Sequence, residues 1–135
     1  MWSPAFDPKR GLIFVNAARQ WSYQTQLGFG RLRHPTEYET DAIDYRTGKV
    51  VWRYELGDKG TGNLISGLLT TAGDLLFGGD SFGNFLAFDP GTGKPLWHVG
   101  VDQFVTNPPM TYLLDGRQFV LVAANDAFFA FALPQ

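Results

Sequence analysis

The groups able to do chemistry in this chain are few and scattered. His34 and His98 are the two histidines, and each stands too isolated to form a metal site, so packed or solvated roles are expected for both. No pair of carboxylates can be placed at the ~5–9 Å separation that glycoside hydrolysis requires. Ser66-Gly67 lacks the Gly-x-Ser-x-Gly context that exposes a nucleophilic serine on a strained turn. Gly57-Asp58-Lys59-Gly60-Thr61-Gly62 has the look of a phosphate loop, but the Gly-x-x-x-x-Gly-Lys-Ser/Thr pattern is not met and no helix follows. Gly28-Phe29-Gly30 lacks the third glycine of a dinucleotide turn. Cysteine is absent, which excludes disulfides, thiolate zinc sites and thiol nucleophiles. No catalytic residue and no metal ligand is therefore assigned from the residues themselves.

Composition says more about architecture than about chemistry. With 135 residues the chain has the usual size of one domain. Eleven basic residues against 13 acidic ones give a net charge of −2, so no basic face is offered to nucleic acid. Charged residues make up only 18%, while aromatics reach 16%, with 12 Phe and 4 Trp beside 16 Gly. That mixture disfavours disorder and coiled coil and suits a turn-rich all-β chain with a core of rings. No apolar stretch approaches the roughly 18 residues of a membrane helix. Met1-Trp2-Ser3-Pro4 carries neither a basic leader nor an apolar segment, which predicts a cytosolic protein or a chain whose true beginning lies upstream.

The organising signal is a repeat. Ala42-Ile43-Asp44-Tyr45-Arg46-Thr47-Gly48-Lys49-Val50-Val51-Trp52 aligns without gaps on Ala87-Phe88-Asp89-Pro90-Gly91-Thr92-Gly93-Lys94-Pro95-Leu96-Trp97, at an offset of 87 − 42 = 45 residues. A period of about 40–45 residues is that of one four-stranded propeller blade. Within it, Leu64 to Thr71, Leu75 to Gly79, Phe85 to Asp89 and Pro95 to Val99 read as strands, broken by Ala72-Gly73-Asp74, Asp80 to Asn84 and Pro90 to Gly93. Upstream, Ser3 to Asp7, Leu12 to Ala17, Thr40 to Tyr45 and Val50 to Leu56 make another blade with a long connection over 18–39. Downstream, Pro109 to Leu113, Phe119 to Ala124 and Phe128 to Leu133 supply three strands of a last one.

The expectation is a single all-β partial propeller over 1–135: a blade at 1–57 with the insertion 18–39, a blade at 63–100, and a three-stranded blade at 105–134 lacking its outer strand. An unpaired outer edge exposes a row of backbone donors and acceptors, so the fourth strand is expected from elsewhere in a larger closed ring. In each repeated unit the glycine supplies a left-handed turn residue, and Asp44 and Asp89 brace the turn by accepting from its amides and the Thr hydroxyl. Ala42 and Ala87 leave room for a large group; Trp52 and Trp97, wedged between blades with their indole N–H on backbone, are the candidates. Arg19, Gln20 and Trp21 open the long connection and are candidates to approach a ligand on that propeller face.

The pattern Ala-x-Asp-x-x-Thr-Gly-Lys-x-x-Trp resembles the tryptophan-docking motif of quinoprotein alcohol dehydrogenases, eight-bladed propellers that use pyrroloquinoline quinone (PQQ) and a calcium ion. The resemblance extends through Trp2-Ser3-Pro4-Ala5-Phe6-Asp7-Pro8-Lys9, similar to the segment entering a late blade. Gly67 to Phe77 is similar to the penultimate blade, and Pro109 to Tyr112 with Asp115 to Val120 to the closing blade. It implies hydride abstraction from an alcohol or sugar carbon by the quinone, with calcium polarising the quinone carbonyl and an Asp acting as base. The calcium ligands, the base and the Cys pair come from earlier blades in that family. Trp2 matches the Trp of an Asn-Trp pair that contacts PQQ, with Met1 at the Asn position; Ile65 stands where a second aromatic contact is a Trp. The implied reading is a C-terminal segment of a PQQ-dependent oxidoreductase, periplasmic by family habit and inactive as an isolated chain. Its implied partners are the remainder of the propeller, a small alcohol or sugar, and an electron acceptor. The alternative is a non-catalytic PQQ-repeat scaffold, similar to outer-membrane assembly lipoproteins. A self-standing domain that closes its edges by oligomerising is a third.

Overall fold

A computed structural model describes residues 2–19, 37–57 and 66–132. These residues form eleven strands and no helix: β1 (Ala5–Asp7), β2 (Leu12–Arg19), β3 (Glu37–Asp44), β4 (Val50–Gly57), β5 (Leu69–Thr70), β6 (Leu76–Gly79), β7 (Asn84–Phe88), β8 (Pro95–Gly100), β9 (Met110–Leu114), β10 (Arg117–Ala124) and β11 (Ala127–Ala132). Each pairs antiparallel with its chain neighbour within a sheet, giving sheets β1-β2-β3-β4, β5-β6-β7-β8 and β9-β10-β11. They are two four-stranded blades and a three-stranded one, as the repeat predicts. Among the described residues no strand pairs with the far edge of β11.

The blades are held together by burying their faces against one another. One cluster fills the gap between the first and second blades, with Leu12, Phe14 and Ala42 meeting Leu76, Leu86 and Phe88. A second fills the next gap, where Phe77, Phe85 and Ala87 meet Val120, Val122 and Ala124. The middle blade therefore loses both faces to neighbours. Its strand β7 reads Asn-Phe-Leu-Ala-Phe, an apolar run rather than an alternation, because Phe85 and Ala87 point one way and Leu86 and Phe88 the other. β4 of the first blade alternates instead, with Trp52, Tyr54 and Leu56 turned inward and Arg53 and Glu55 outward.

The strands of the first blade outrun the sequence reading. β2 and β3 reach two and three residues into the stretch assigned to the long connection, because Ala18 pairs with Tyr38 and Arg19 with Glu37. The repeated turns are braced as expected by Asp44 and Asp89, with one correction. Asp44 Oδ1 accepts from the Arg46 and Thr47 amides at 2.8 and 3.2 Å, and Asp89 Oδ1 from the Gly91 amide at 2.7 Å. The Thr hydroxyls do not reach the carboxylates. Thr47 and Thr92 Oγ1 accept from the Lys49 and Lys94 amides, each at 3.3 Å, closing the turn from its other side. Gly48 and Gly93 take φ of 68° and 71°, left-handed values that a Cβ would strain.

A charged clip joins the first two blades where neither core reaches. Arg10 Nη1 donates to Asp7 at 2.8 Å and to Asp74 at 3.1 Å, and Lys9 Nζ lies 3.2 Å from Asp74. Burial pushes the Asp7 carboxyl up, but the Arg10 guanidinium and the Arg10 and Lys9 amides outweigh it and hold the group below its ordinary 3.8. Asp74 is lowered by its bonds to Arg10 and Lys9. A depressed carboxylate stabilises the fold above its ordinary value, and that contribution is lost as the pH falls through the lowered one. Arg10→Ala is accordingly expected to cost about 1 kcal/mol at neutral pH, from the Asp7 bond, since the Asp74 pair is exposed and screened. It should also flatten the acid limb of stability below pH 3.8; thermal melts across that range check both, and an acid limb unchanged by the substitution would remove the clip from the account.

Candidate functional site

Antiparallel order sorts the connections onto two ends of the arc. The lead-ins to β1, β5 and β9 share one end with the last residue of β2, the first residue of β3 and the β6–β7 and β10–β11 turns; the β1–β2, β5–β6, β3–β4 and β7–β8 turns share the other. Contacts between blades confirm the alignment. At the first end, the Leu68 amide donates to the Ser3 carbonyl at 2.9 Å. There a Cβ built on Gly67 would lie 2.6 Å from Pro108 Cβ and 3.1 Å from Ser3 Cβ, so the three lead-ins stack in sequence along one rim. At the other end sits the docking contact. Trp52 Nε1 donates to the Pro90 carbonyl at 2.9 Å, and the indole lies on Gly93, where a Cβ would fall 2.5 Å from the ring. Trp52 thus bonds a turn of the next blade, as its spacing predicts.

Trp97 departs from that expectation. It faces Ala87 across the strand pair as Trp52 faces Ala42, and its ring meets Phe131 at 5.4 Å and Phe85 at 6.2 Å. Yet 41% of it remains exposed, and no acceptor for its indole N–H lies among the described residues. The wedge is built at one blade junction and half built at the next.

Of the candidate cofactor-side residues, Trp2 and Arg19 both fall on the rim end. Trp2 is half-buried, with its ring edge-on to Tyr38 at 6.1 Å and against a small cluster of Tyr38, Leu56 and Tyr54. Arg19, at the end of β2, is committed to carboxylates: its Nη2 lies 3.2 and 3.3 Å from the two oxygens of Glu39, and Nη1 lies 4.0 Å from Glu37. Glu39 and Asp41 in turn hold Arg53, at 3.1 and 2.7 Å, and Arg19, Glu39 and Arg53 line an open groove of about 340 Å³ with Glu55 and Tyr38. Bonding to Asp41, the largest influence, raises the Arg53 guanidinium above its ordinary value. Each of the two guanidiniums is thus already paired with carboxylates of its own blade. Gln20 and Trp21 lie outside the described residues, as do His34, Gly28-Phe29-Gly30, Asp58 to Gly62, Met1 and Ile65. His98 is exposed on β8, and no group of three metal-ligating side chains occurs among the described residues.

Sequence reasoning missed a polar seam behind the rim. Thr40 Oγ1 donates to Asn16 Oδ1 at 2.7 Å, and Asn16 Nδ2 donates to the Ser66 carbonyl at 2.7 Å. Ser66 Oγ accepts from the Gly79 amide at 2.6 Å and donates to the Gly67 carbonyl. Thr40 and Ser66 are 1% and 0% exposed, so these bonds fix the lead-in to β5 against the first blade without water. The available signal was Asn16, a polar residue directly following the apolar run Leu12 to Val15 of β2.

A family model described as "PQQ: Glucose/ethanol/alcohol dehydrogenase, beta-propeller domain" matches residues 38–120. The chain belongs to that family. It is 34% identical over 141 residues to the quinoprotein ethanol dehydrogenase of Pseudomonas aeruginosa, covering 92% of this chain and 22% of that protein. It is 40% identical over 148 residues to the 1-butanol dehydrogenase (cytochrome c) of Thauera butanivorans, covering 91% of this chain and 21% of that one. The chain thus spans about a fifth of the length of these relatives. The crystal structure of the quinohemoprotein alcohol dehydrogenase from Comamonas testosteroni superposes with a TM-score of 0.74 over 91% of this chain and 22% of its own, at 24% identity, a likeness of fold. No helix of the described residues is long and apolar enough to cross a membrane.

PQQ is a planar quinone, and the described residues fit it unevenly. Trp2 presents a ring at the rim backed by Tyr38, a surface suited to a flat group. Arg19 does not fit, because Glu39 and Glu37 already take its guanidinium.

Proposed function

We propose that this chain contributes consecutive late blades, 1–57, 63–100 and 105–134, to a periplasmic PQQ-dependent dehydrogenase that oxidises alcohols or sugars. Its role there is to position the cofactor rim, with the chemistry carried by other blades. The observation that carries this reading is the docking of Trp52 on the Pro90–Gly93 turn, within a chain whose family match spans both copies of the motif. When bound, the quinone supplies the hydride acceptor. Trp2 would lie against it, held edge-on by Tyr38, while the Gly67 lead-in and the Asn16–Thr40–Ser66 seam keep the rim from shifting. Arg19 acts by tying β2 to β3 through Glu39, and calcium is held by residues of other blades.

The test has two arms. The isolated chain, given PQQ, calcium and ethanol in a dye-reduction assay, is expected to show no turnover above background; turnover would overturn the supporting role. The reading frame surrounding this segment is expected to encode a calcium-binding Glu and Asn and an Asp base. A frame without them would overturn the dehydrogenase in favour of a scaffold.

A further inference from the structure

The first two blades are tied to each other by polar bonds at both ends of their junction. At the rim, the Leu68 amide donates to the Ser3 carbonyl at 2.9 Å, Asn16 Nδ2 to the Ser66 carbonyl at 2.7 Å and Ser81 Oγ to the Leu56 carbonyl at 2.8 Å. At the far end, Trp52 Nε1 holds the Pro90 carbonyl, Thr70 Oγ1 donates to the Phe6 carbonyl at 2.9 Å, and Arg10 reaches Asp74. The next junction is built differently. Among the described residues, no hydrogen bond and no ion pair runs between β5–β8 and β9–β11. Burial of rings and aliphatic groups joins them, with Phe131 stacked on Phe85 at 5.8 Å and edge-on to Trp97 at 5.4 Å. Burial is non-directional, so such surfaces can part or slide where hydrogen bonds would hold a register.

The rim end of this second junction is fixed all the same, through the connection 101–108. The Val101 amide donates to the Gly83 carbonyl at 2.9 Å. Val105 is fully buried on Gly79, where a Cβ would lie 2.6 Å from its own, and it bridges to Ala124 of β10. Pro108 rests on Gly67. Among the described residues the far end has no counterpart. There the blades leave a groove of about 430 Å³ walled by Leu75, Phe77 and Trp97 on one side and Val120 and Phe131 on the other. We propose that the third blade pivots on the connection 101–108, opening the junction at the groove end while the rim stays closed. Such opening breaks no hydrogen bond between the blades and re-exposes only apolar surface, part of which already borders the groove. The first junction, pinned at both ends, does not open this way short of unfolding. The rim is thereby insulated from movement of the outer part of the third blade. The pivot rests on contacts between two blades of this chain and is independent of the dehydrogenase reading.

The 135-residue chain has no cysteine, so a thiol introduced at one position reports that position alone. Ala42 and Ala87 are equivalent residues of the repeat, buried in the first and second junctions respectively. Ala87 and Val120 stand on opposite walls of the groove and are 3% and 2% exposed, so a thiol at either site reacts only on opening. Ala87→Cys and Val120→Cys are expected to react with DTNB at one common rate. Corrected for each variant's stability in urea, that rate should exceed those of Ala42→Cys and the rim-end Ala124→Cys at least about tenfold. Reaction at 87 and 120 should depend only weakly on urea, because little surface is exposed, whereas 42 and 124 should follow the full slope of global unfolding. Leu86→Cys, which faces the first junction, takes the place of Ala42→Cys if that variant does not fold. Reaction at 87 without 120 would reduce the opening to movement of the Trp97 ring, and equally fast reaction at 124 would mean undocking of the whole blade; either result overturns the pivot. So would reaction at all four positions with the slope of global unfolding.

Discussion

Trp52→Ala should remove about 3–5 kcal/mol of stability, a large part of what a domain of this size possesses. The ring fills the junction between the first two blades, beside Phe14 at 5.7 Å and over Gly93, and its N–H is the bond to Pro90. Losing it leaves a cavity between the two sheets, together with an unpaired carbonyl. Trp52→Phe separates the two contributions. It keeps most of the ring and gives up the hydrogen bond, so about 1 kcal/mol is expected. Trp97→Ala is the internal comparison: with its ring partly in water and its N–H without a partner among the described residues, it should cost clearly less than Trp52→Ala. Urea denaturation followed by circular dichroism measures all three. Equal losses at Trp52 and Trp97 would mean that docking on the next blade's turn contributes nothing.

Gly67→Ala is expected to cost about 1–3 kcal/mol, although the residue has no side chain and the change adds one methyl group. The added carbon would sit 2.6 Å from Pro108 Cβ, on a ring that cannot swing aside, and 3.1 Å from Ser3 Cβ. The rim must therefore open between blades to admit it. The backbone of Gly67 is not left-handed, so the effect is purely one of space, and it should grow on going to Gly67→Val. Exchange protection of the Leu68 amide, bonded to Ser3, reports the opening directly. A substituted chain of unchanged stability and unchanged Leu68 protection would show that the lead-ins are not packed along one rim.

The parts legible in the sequence are those whose geometry closes within a few residues. The turns at Asp44–Lys49 and Asp89–Lys94 were readable because a carboxylate reaches amides two and three residues on, and a glycine takes the left-handed position. The strands around them were readable from apolar runs broken by turn formers. The Thr hydroxyls were misassigned between two equally local partners, the Asp carboxylate and the Lys amide. The candidate site was less legible. Arg19 carries a charge at the mouth of a long connection, which suggests a ligand, but its Glu39 partner is 20 residues away and only the β2–β3 register brings the two together.

By itself, then, the order of residues determined the repeat, its 45-residue period (87 − 42), the antiparallel blades it encodes and the family they belong to. Tertiary structure alone decided which indole is docked and which is half in water, that Gly67 is a point of contact for three lead-ins, and that Asn16, Thr40 and Ser66 form one seam. The division has a physical cause. A turn or a strand is stabilised by hydrogen bonds and side-chain placement along a short stretch of chain, so residue types at fixed spacings specify it. A junction between blades depends on which surfaces meet after the sheets have formed, and identical motifs at Trp52 and Trp97 acquire different environments because different neighbours stand beside them.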